Sequence, residues 1–231
     1  MTEQLREILY PLGFLSSLAF SARMLLQWLK SEAKGESLVT PAFWKLSLCG
    51  NLLLLTHAFI QAQFHVCLVQ ACNAVISWRN LNLMQPPLKQ TTFLHTVILL
   101  LVAIATIFCG FLLQTFFFPD GFEWFRIPAT PWQLNADKQV SFFWHILGLF
   151  GLFLFSGRFW LQWWFAEKYK QSYLGSSFWW CSLAGESLCL IYFFRIGDPV
   201  NFIGPAFGLI PYLRNLMLLS RQRKQSSQET L

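Results

Sequence analysis

An all-α integral membrane protein of seven transmembrane helices, built as two parallel three-helix repeats joined by one linker helix, is the fold this sequence predicts. Three observations carry that expectation. The composition is too apolar for a water-soluble core, the apolar residues fall into seven separable spans, and the first three spans recur as the last three.

Of 231 residues, 55% belong to the set AVILMFWYC and 18% are aromatic, with 25 Phe and 11 Trp. Charged residues make up 12%, about half the share in soluble domains. A single core could not hide that much apolar surface from water. A secreted disulfide scaffold, a disordered tail and a cytosolic enzyme are therefore excluded. The net charge of +6 is dispersed. Its tight cluster, Arg221, Arg223 and Lys224, borders an apolar run and reads as a membrane flank facing anionic headgroups, so no nucleic-acid partner is expected. Cys49, Cys67, Cys72, Cys109, Cys181 and Cys189 form no CxxC pair and read as small apolar side chains. His57, His65, His95 and His145 show no ligand spacing with cysteine or carboxylate. No metal, cofactor or catalytic residue is expected, and no phosphate-cradling glycine motif or nucleophile elbow is present.

A membrane helix needs about 20 apolar residues. The spans cover residues 12–29, 43–62, 64–83, 93–118, 140–165, 178–194 and 200–219. The start, MTEQLREILY, has Glu3 and Glu7 beside Arg6 and lacks a basic n-region, so the first span is expected to be permanent rather than a cleaved signal. Breaks at 31–41, 85–90, 119–137, 166–177 and 197–199 carry proline, glycine and charge. The second and third spans nearly touch around residues 61–64. The last contains Pro205 and Pro211, which mark it for a kink or break. With seven spans the Lys and Arg residues divide four against eleven, the larger number on the C-terminal side. That bias places the C-terminus in the cytoplasm and the N-terminus outside.

RMLLQWLKSE at 23–32 matches RFWLQWWFAE at 158–167, FWKLSLCG at 43–50 matches FWWCSLAG at 178–185, and RNLNL at 79–83 matches RNLML at 214–218, all at an offset of 135 residues. A three-span copy inverts its successor unless one further helix intervenes, and 93–118 supplies it. The copies are then parallel, with a working cavity expected between them near the midplane. The expected divisions are 1–84 for the first repeat, 85–138 for the linker helix and an outer loop, 139–220 for the second repeat, and 221–231 for a polar cytoplasmic tail.

Charge within a bilayer marks a functional site by default. Arg23 and Arg158 occupy the same repeat position, where a guanidinium can clamp phosphate in bidentate fashion. Facing each other, they would suit a diphosphorylated or anionic lipid headgroup; the alternatives are pairing with a neighbouring helix or snorkelling to the interface. Glu186, whose repeat mate is Asn51, can pair with Arg158, carry a proton or accept from a sugar hydroxyl. Gln27–Trp28 and Gln162–Trp163 recur before a cytoplasmic loop, as interface anchors or in a sugar-stacking or gating role. Ser47, Ser182, Gly50 and Gly185 read as helix-packing residues. Arg79 and Arg214 are expected to meet headgroup phosphate, and Asn80 and Asn215 to cap terminal carbonyls.

This motif set resembles the lipid A biosynthesis N-terminal domain family, a three-span module found alone, duplicated, or ahead of lipid-A-disaccharide synthase. In the second copy the matching residues are Arg158, Gln162, Trp163, Glu167, Phe178, Trp179, Ser182, Leu183, Gly185, Tyr192, Asp198, Pro199, Gly204, Gly208, Tyr212, Arg214, Asn215 and Leu216. The first copy departs at His57, at Trp78, and in lacking Asp-Pro before its third span. More distantly the family is similar to the SWEET and PQ-loop sugar carriers, which share the three-one-three arrangement. Leu26 and Leu161 stand where those carriers have the Pro of their Pro-Gln pair. Asn73 sits where they place a substrate Asn, and its mate is Gly208. The resemblance implies a bacterial inner-membrane protein of lipid A biosynthesis that binds, presents or moves an acylated glucosamine phosphate, or tethers the synthase. Its expected partners are a membrane lipid or acylated sugar phosphate and a cytoplasmic glycosyltransferase. The synthase joins a UDP-diacylglucosamine to its monophosphate relative; these 231 residues include no soluble glycosyltransferase domain, so enzymatic activity stays open. The alternative is a SWEET-like carrier of a sugar or lipid-linked sugar. Nothing in the sequence sets an oligomeric state.

Overall fold

The computed structural model describes residues 6, 8–117, 124, 141–196 and 199–229; the side chains of 145, 196, 199–205, 207 and 226–229 lie outside that description. So do most of the predicted outer loop and the turn at 197–198. Among the described residues there are seven long α-helices and no strand: α1 (Leu12–Lys34), α2 (Pro41–Ile60), α3 (Phe64–Leu83), α4 (Phe93–Phe117), α5 (Phe142–Tyr169), α6 (Ser176–Ile196) and α7 (Pro199–Glu229), with a 3-10 turn at Pro87–Lys89. Each predicted span is a helix. Five stretches are long and apolar enough to cross a membrane: Leu12–Lys34, Pro41–Ile60, Pro87–Phe117, Phe142–Tyr169 and Ser176–Arg195. The other two helices are more polar. In α3 the polar residues Asn73, Ser77, Arg79 and Asn80 are all turned inward. In α7 the apolar run gives way to a polar stretch that stays helical to Glu229. The expected break at Pro205 or Pro211 does not occur, and α7 runs as one helix.

The duplication is visible in the helix boundaries. Pro41 and Ser176, Phe64 and Pro199, and Lys34 and Tyr169 stand at the same 135-residue offset as the motifs. The stop after the first helix is chemically different in each copy. Gly35 takes φ +69° and Glu36 N–H donates to the Ser31 carbonyl at 3.2 Å, a glycine-terminated helix end. In the second copy Lys170 adopts the same left-handed conformation at φ +53°, and Gln171 N–H donates to the Ala166 carbonyl at 3.2 Å. Between α2 and α3 the chain reverses in three residues, with Ala62 at φ +57°.

The chain divides into two compact units. One comprises residues 1–23 and 41–132, the other 24–40 and 133–231, so α1 contributes its first half to one and its second half to the other. In the first unit Ala58, Cys67, Ala71, Ile107 and Phe111 form a core with Phe59 and Phe64 packed against it. Phe59 and Phe64 both meet Phe111 edge-on, at 5.3 and 5.2 Å. The intervening helix α4 is thus a packed member of the first unit. In the second unit α5 and α6 approach with bare backbone: a Cβ on Gly185 would stand 2.7 Å from Phe155 N and 2.9 Å from the Gly151 carbonyl oxygen. The expected packing role of Gly185 is met there, and glycine is what permits the approach. The second residue of each FW pair, Trp44 or Trp179, is fully buried, with its Phe edge-on at 5.0 Å.

Candidate functional site

In the first unit Arg23 is 6% exposed and its Nη1 donates to Ser47 Oγ at 2.9 Å. Its guanidinium lies over the Phe20 and Phe43 rings at 4.8 and 5.4 Å. Ser47 in turn donates to the Phe43 carbonyl at 2.7 Å. Asn51 is buried and its Nδ2 donates to Ser77 Oγ at 3.2 Å. Asn73 is also buried, and its Oδ1 has no hydrogen-bond partner among the described residues.

In the second unit Ser182 again donates to the carbonyl four residues back, that of Phe178, at 2.6 Å, but the arginine has turned away from it. Arg158, 2% exposed, donates from Nη1 to the Tyr212 hydroxyl at 3.1 Å. Its guanidinium lies 3.6 Å from the Phe155 ring centroid and 5.0 to 5.6 Å from those of Phe159, Phe178 and Tyr212. This aromatic cage lowers the cost of burying the cation. Arg158 Nε has no hydrogen-bond partner among the described residues. Glu186 is 4% exposed. An Arg158–Glu186 salt bridge, one of the expected arrangements, does not form among the described residues; the guanidinium donates instead to the Tyr212 hydroxyl. A Cβ on Gly208 would lie 3.1 Å from Glu186 Oε1 and 3.2 Å from the Tyr212 oxygen. Carboxylate and phenol therefore converge over the bare backbone of Gly208, where the first copy has Asn73.

The remaining predicted residues are bound into the scaffold. Gln27 and Asn215 exchange amide bonds, Gln27 Nε2 to Asn215 Oδ1 at 2.7 Å and Asn215 Nδ2 to Gln27 Oε1 at 3.1 Å. Gln162 Nε2 donates to the Tyr173 carbonyl at 3.5 Å. Trp28 and Trp163 are half-buried, and each indole N–H donates to the glutamate one turn on, Glu32 at 3.1 Å and Glu167 at 3.2 Å. Asn80 and Asn215 do reach backbone carbonyls, of Ile76 and Pro211. The expectation that Arg79 reaches headgroup phosphate is corrected. Arg79 is 1% exposed and donates to the Thr91 carbonyl and Asn82 Oδ1, both at 2.8 Å, satisfying acceptors of the chain reversal before α4. Arg214 forks onto the Glu32 carboxylate, with Nη2 to Oε2 at 2.8 Å, a bidentate pair with an anion fixed in the chain. Sequence reasoning missed Tyr212 and Gly208 as site residues. The available signal was the exchange of Asn51, Asn73 and Ser77 for Glu186, Gly208 and Tyr212 at one offset: one residue shrinks as its two neighbours grow.

The model of the Lipid A Biosynthesis N-terminal domain matches residues 12–82 and again 147–217. The chain belongs to that family. Both copies of the site lie within the matched residues, so Arg23, Asn51 and Asn73 come from one family domain and Arg158, Glu186 and Gly208 from the other. Among curated proteins the chain is similar to lipid-A-disaccharide synthases of Chlamydia. It is 36% identical to that of Chlamydia caviae over 224 residues, covering 94% of this chain and 34% of the relative. For Chlamydia muridarum the identity is 38% over 218 residues, 94% and 35% of the two chains. For Chlamydia trachomatis serovar D it is 38% over 216 residues, 93% and 34%. The chain spans about a third of the length of the curated relatives it matches. No solved structure matches it.

Proposed function

We propose that this chain is a bacterial inner-membrane module of lipid A biosynthesis that binds an acylated glucosamine phosphate and presents it to a cytoplasmic glycosyltransferase. The observation that carries the reading is Arg158, a cation buried in a span with one hydroxyl partner and an unpartnered Nε. A buried cation that forms no salt bridge among the described residues is costly and marks a ligand pathway. A phosphate accepting from Nε and the second Nη completes the bidentate geometry that arginine favours. Glu186 and Tyr212 complement it: a sugar's hydroxyl and amide N–H groups donate to the carboxylate while its phosphate meets the cation. In this reading all seven helices span, α4 restores the orientation of the second copy, and the N-terminus lies outside. The similarity to lipid-A-disaccharide synthases supports the pathway and the glycosyltransferase partner.

The test sets retention against flux. Native mass spectrometry of the detergent-purified chain with diacyl-glucosamine-1-phosphate is expected to show one retained molecule. Liposomes carrying the chain are expected to pass no free glucosamine phosphate. Flux of the free sugar without retention of the lipid would replace this reading with that of a SWEET-like carrier.

A further inference from the structure

A groove of about 540 Å³ runs along α5 and takes one wall from α6. Its lining includes Phe153, Gly157, Leu161, Trp164 and, from α6, Cys181, with no charged residue. Gly157 forms the floor: a Cβ there would meet nothing within 4 Å. Phe153 and Trp164 are both 70% exposed, so the groove opens sideways from a helix long and apolar enough to span. From Phe153 to Trp164 the helix rises about 16 Å. Half the hydrocarbon thickness of a bilayer is about 15 Å, the depth reached by one acyl chain. The groove therefore has the length and chemistry of a single chain in one leaflet.

Its polar end identifies the headgroup. One turn beyond Trp164, Lys168 is exposed, its Nζ 5.5 Å from the Tyr169 ring. Lys170, also exposed, is already engaged by Glu167 at 3.0 Å. Lys168 is an exposed cation at that end of the groove, in no ion pair among the described residues.

We infer that this groove holds one acyl chain of an anionic phospholipid, whose phosphate meets Lys168. Arg158 is not among the residues that line the groove, and the inference does not depend on the proposed glycolipid. The test is native mass spectrometry of the full chain with an equal mixture of phosphatidylglycerol and phosphatidylcholine. Wild type is expected to retain phosphatidylglycerol preferentially. Gly157→Phe fills the floor and lowers retention of both lipids roughly tenfold, the weight of about two buried methylenes. Lys168→Gln, an exposed change that leaves the fold intact, lowers the preference about fivefold, the weight of one lysine near an anionic surface. Three results would overturn the inference: equal retention of the two lipids, retention indifferent to Gly157→Phe, or displacement of phosphatidylglycerol by diacyl-glucosamine-1-phosphate.

Discussion

Arg23 and Arg158 are the same residue of one duplicated module, yet they are held differently. Arg23 bonds to a serine on the next helix of its copy, and the neighbouring amide Asn51 is satisfied by Ser77. Arg158 bonds to a tyrosine two helices on, beside the carboxylate Glu186 and above a glycine. The surrounding frame is unchanged, down to the buried Trp, the serine bonded one turn back and the indole–glutamate pair. Duplication has thus kept the scaffold while changing these three positions, and the second copy carries an acid and a tyrosine partner beside its arginine.

The comparison is broken most sharply at the close helix approach. Gly185→Ala drives a Cβ into Phe155 and Gly151 backbone, which cannot yield, whereas the same change at Gly50 meets only the Phe20 ring, at 2.6 Å. Gly185→Ala is expected to cost about 3 kcal/mol or to prevent folding, and Gly50→Ala about 1 kcal/mol. Thermal unfolding in detergent separates them, and equal costs would contradict the described packing.

Next in size is the Gln27–Asn215 amide pair. Each single alanine variant removes the exchanged bonds, at about 1 kcal/mol, because Asn215 keeps Ser37 and Pro211 and Gln27 keeps Ser31 and Leu38. A double-mutant cycle is expected to show coupling of about 1 kcal/mol or more, and additivity would contradict the exchanged bonds. Smaller still is the helix stop. Lys170→Gly removes a left-handed non-glycine residue and is expected to stabilise by about 1 kcal/mol, while Gly35→Lys destabilises by a similar amount. The smallest effect belongs to the exposed Glu32–Arg214 fork. Glu32→Gln is expected to lower the melting temperature slightly at low salt and not at all at high salt.

Helix number and class were legible because lipid imposes one rule, a long apolar run, and the duplication confirmed the partition. The arginines, the glutamate and the FW pairs were legible as repeated or misplaced chemistry. What could not be read is where two groups meet across helices. Arg79 and Arg214 close apolar runs of the sequence, where headgroups are the default partner, but Thr91 lies across a chain reversal and Glu32 is distant in sequence, so both arrive only through folding. Tyr212 was visible as a motif residue, not as the partner of Arg158, because its hydroxyl reaches another helix. Two of the seven apolar runs, those of α3 and α7, carry an inward polar face or a polar continuation, which hydropathy alone averages away.

The most direct measurement is the retention of diacyl-glucosamine-1-phosphate by Arg158→Gln and by Arg23→Gln, followed by native mass spectrometry against wild type. The expected result is a loss of roughly tenfold or more for Arg158→Gln, with Arg23→Gln altering stability more than retention. Equal retention in wild type and Arg158→Gln, or a loss confined to Arg23→Gln, would contradict the assignment of the ligand phosphate to the second copy.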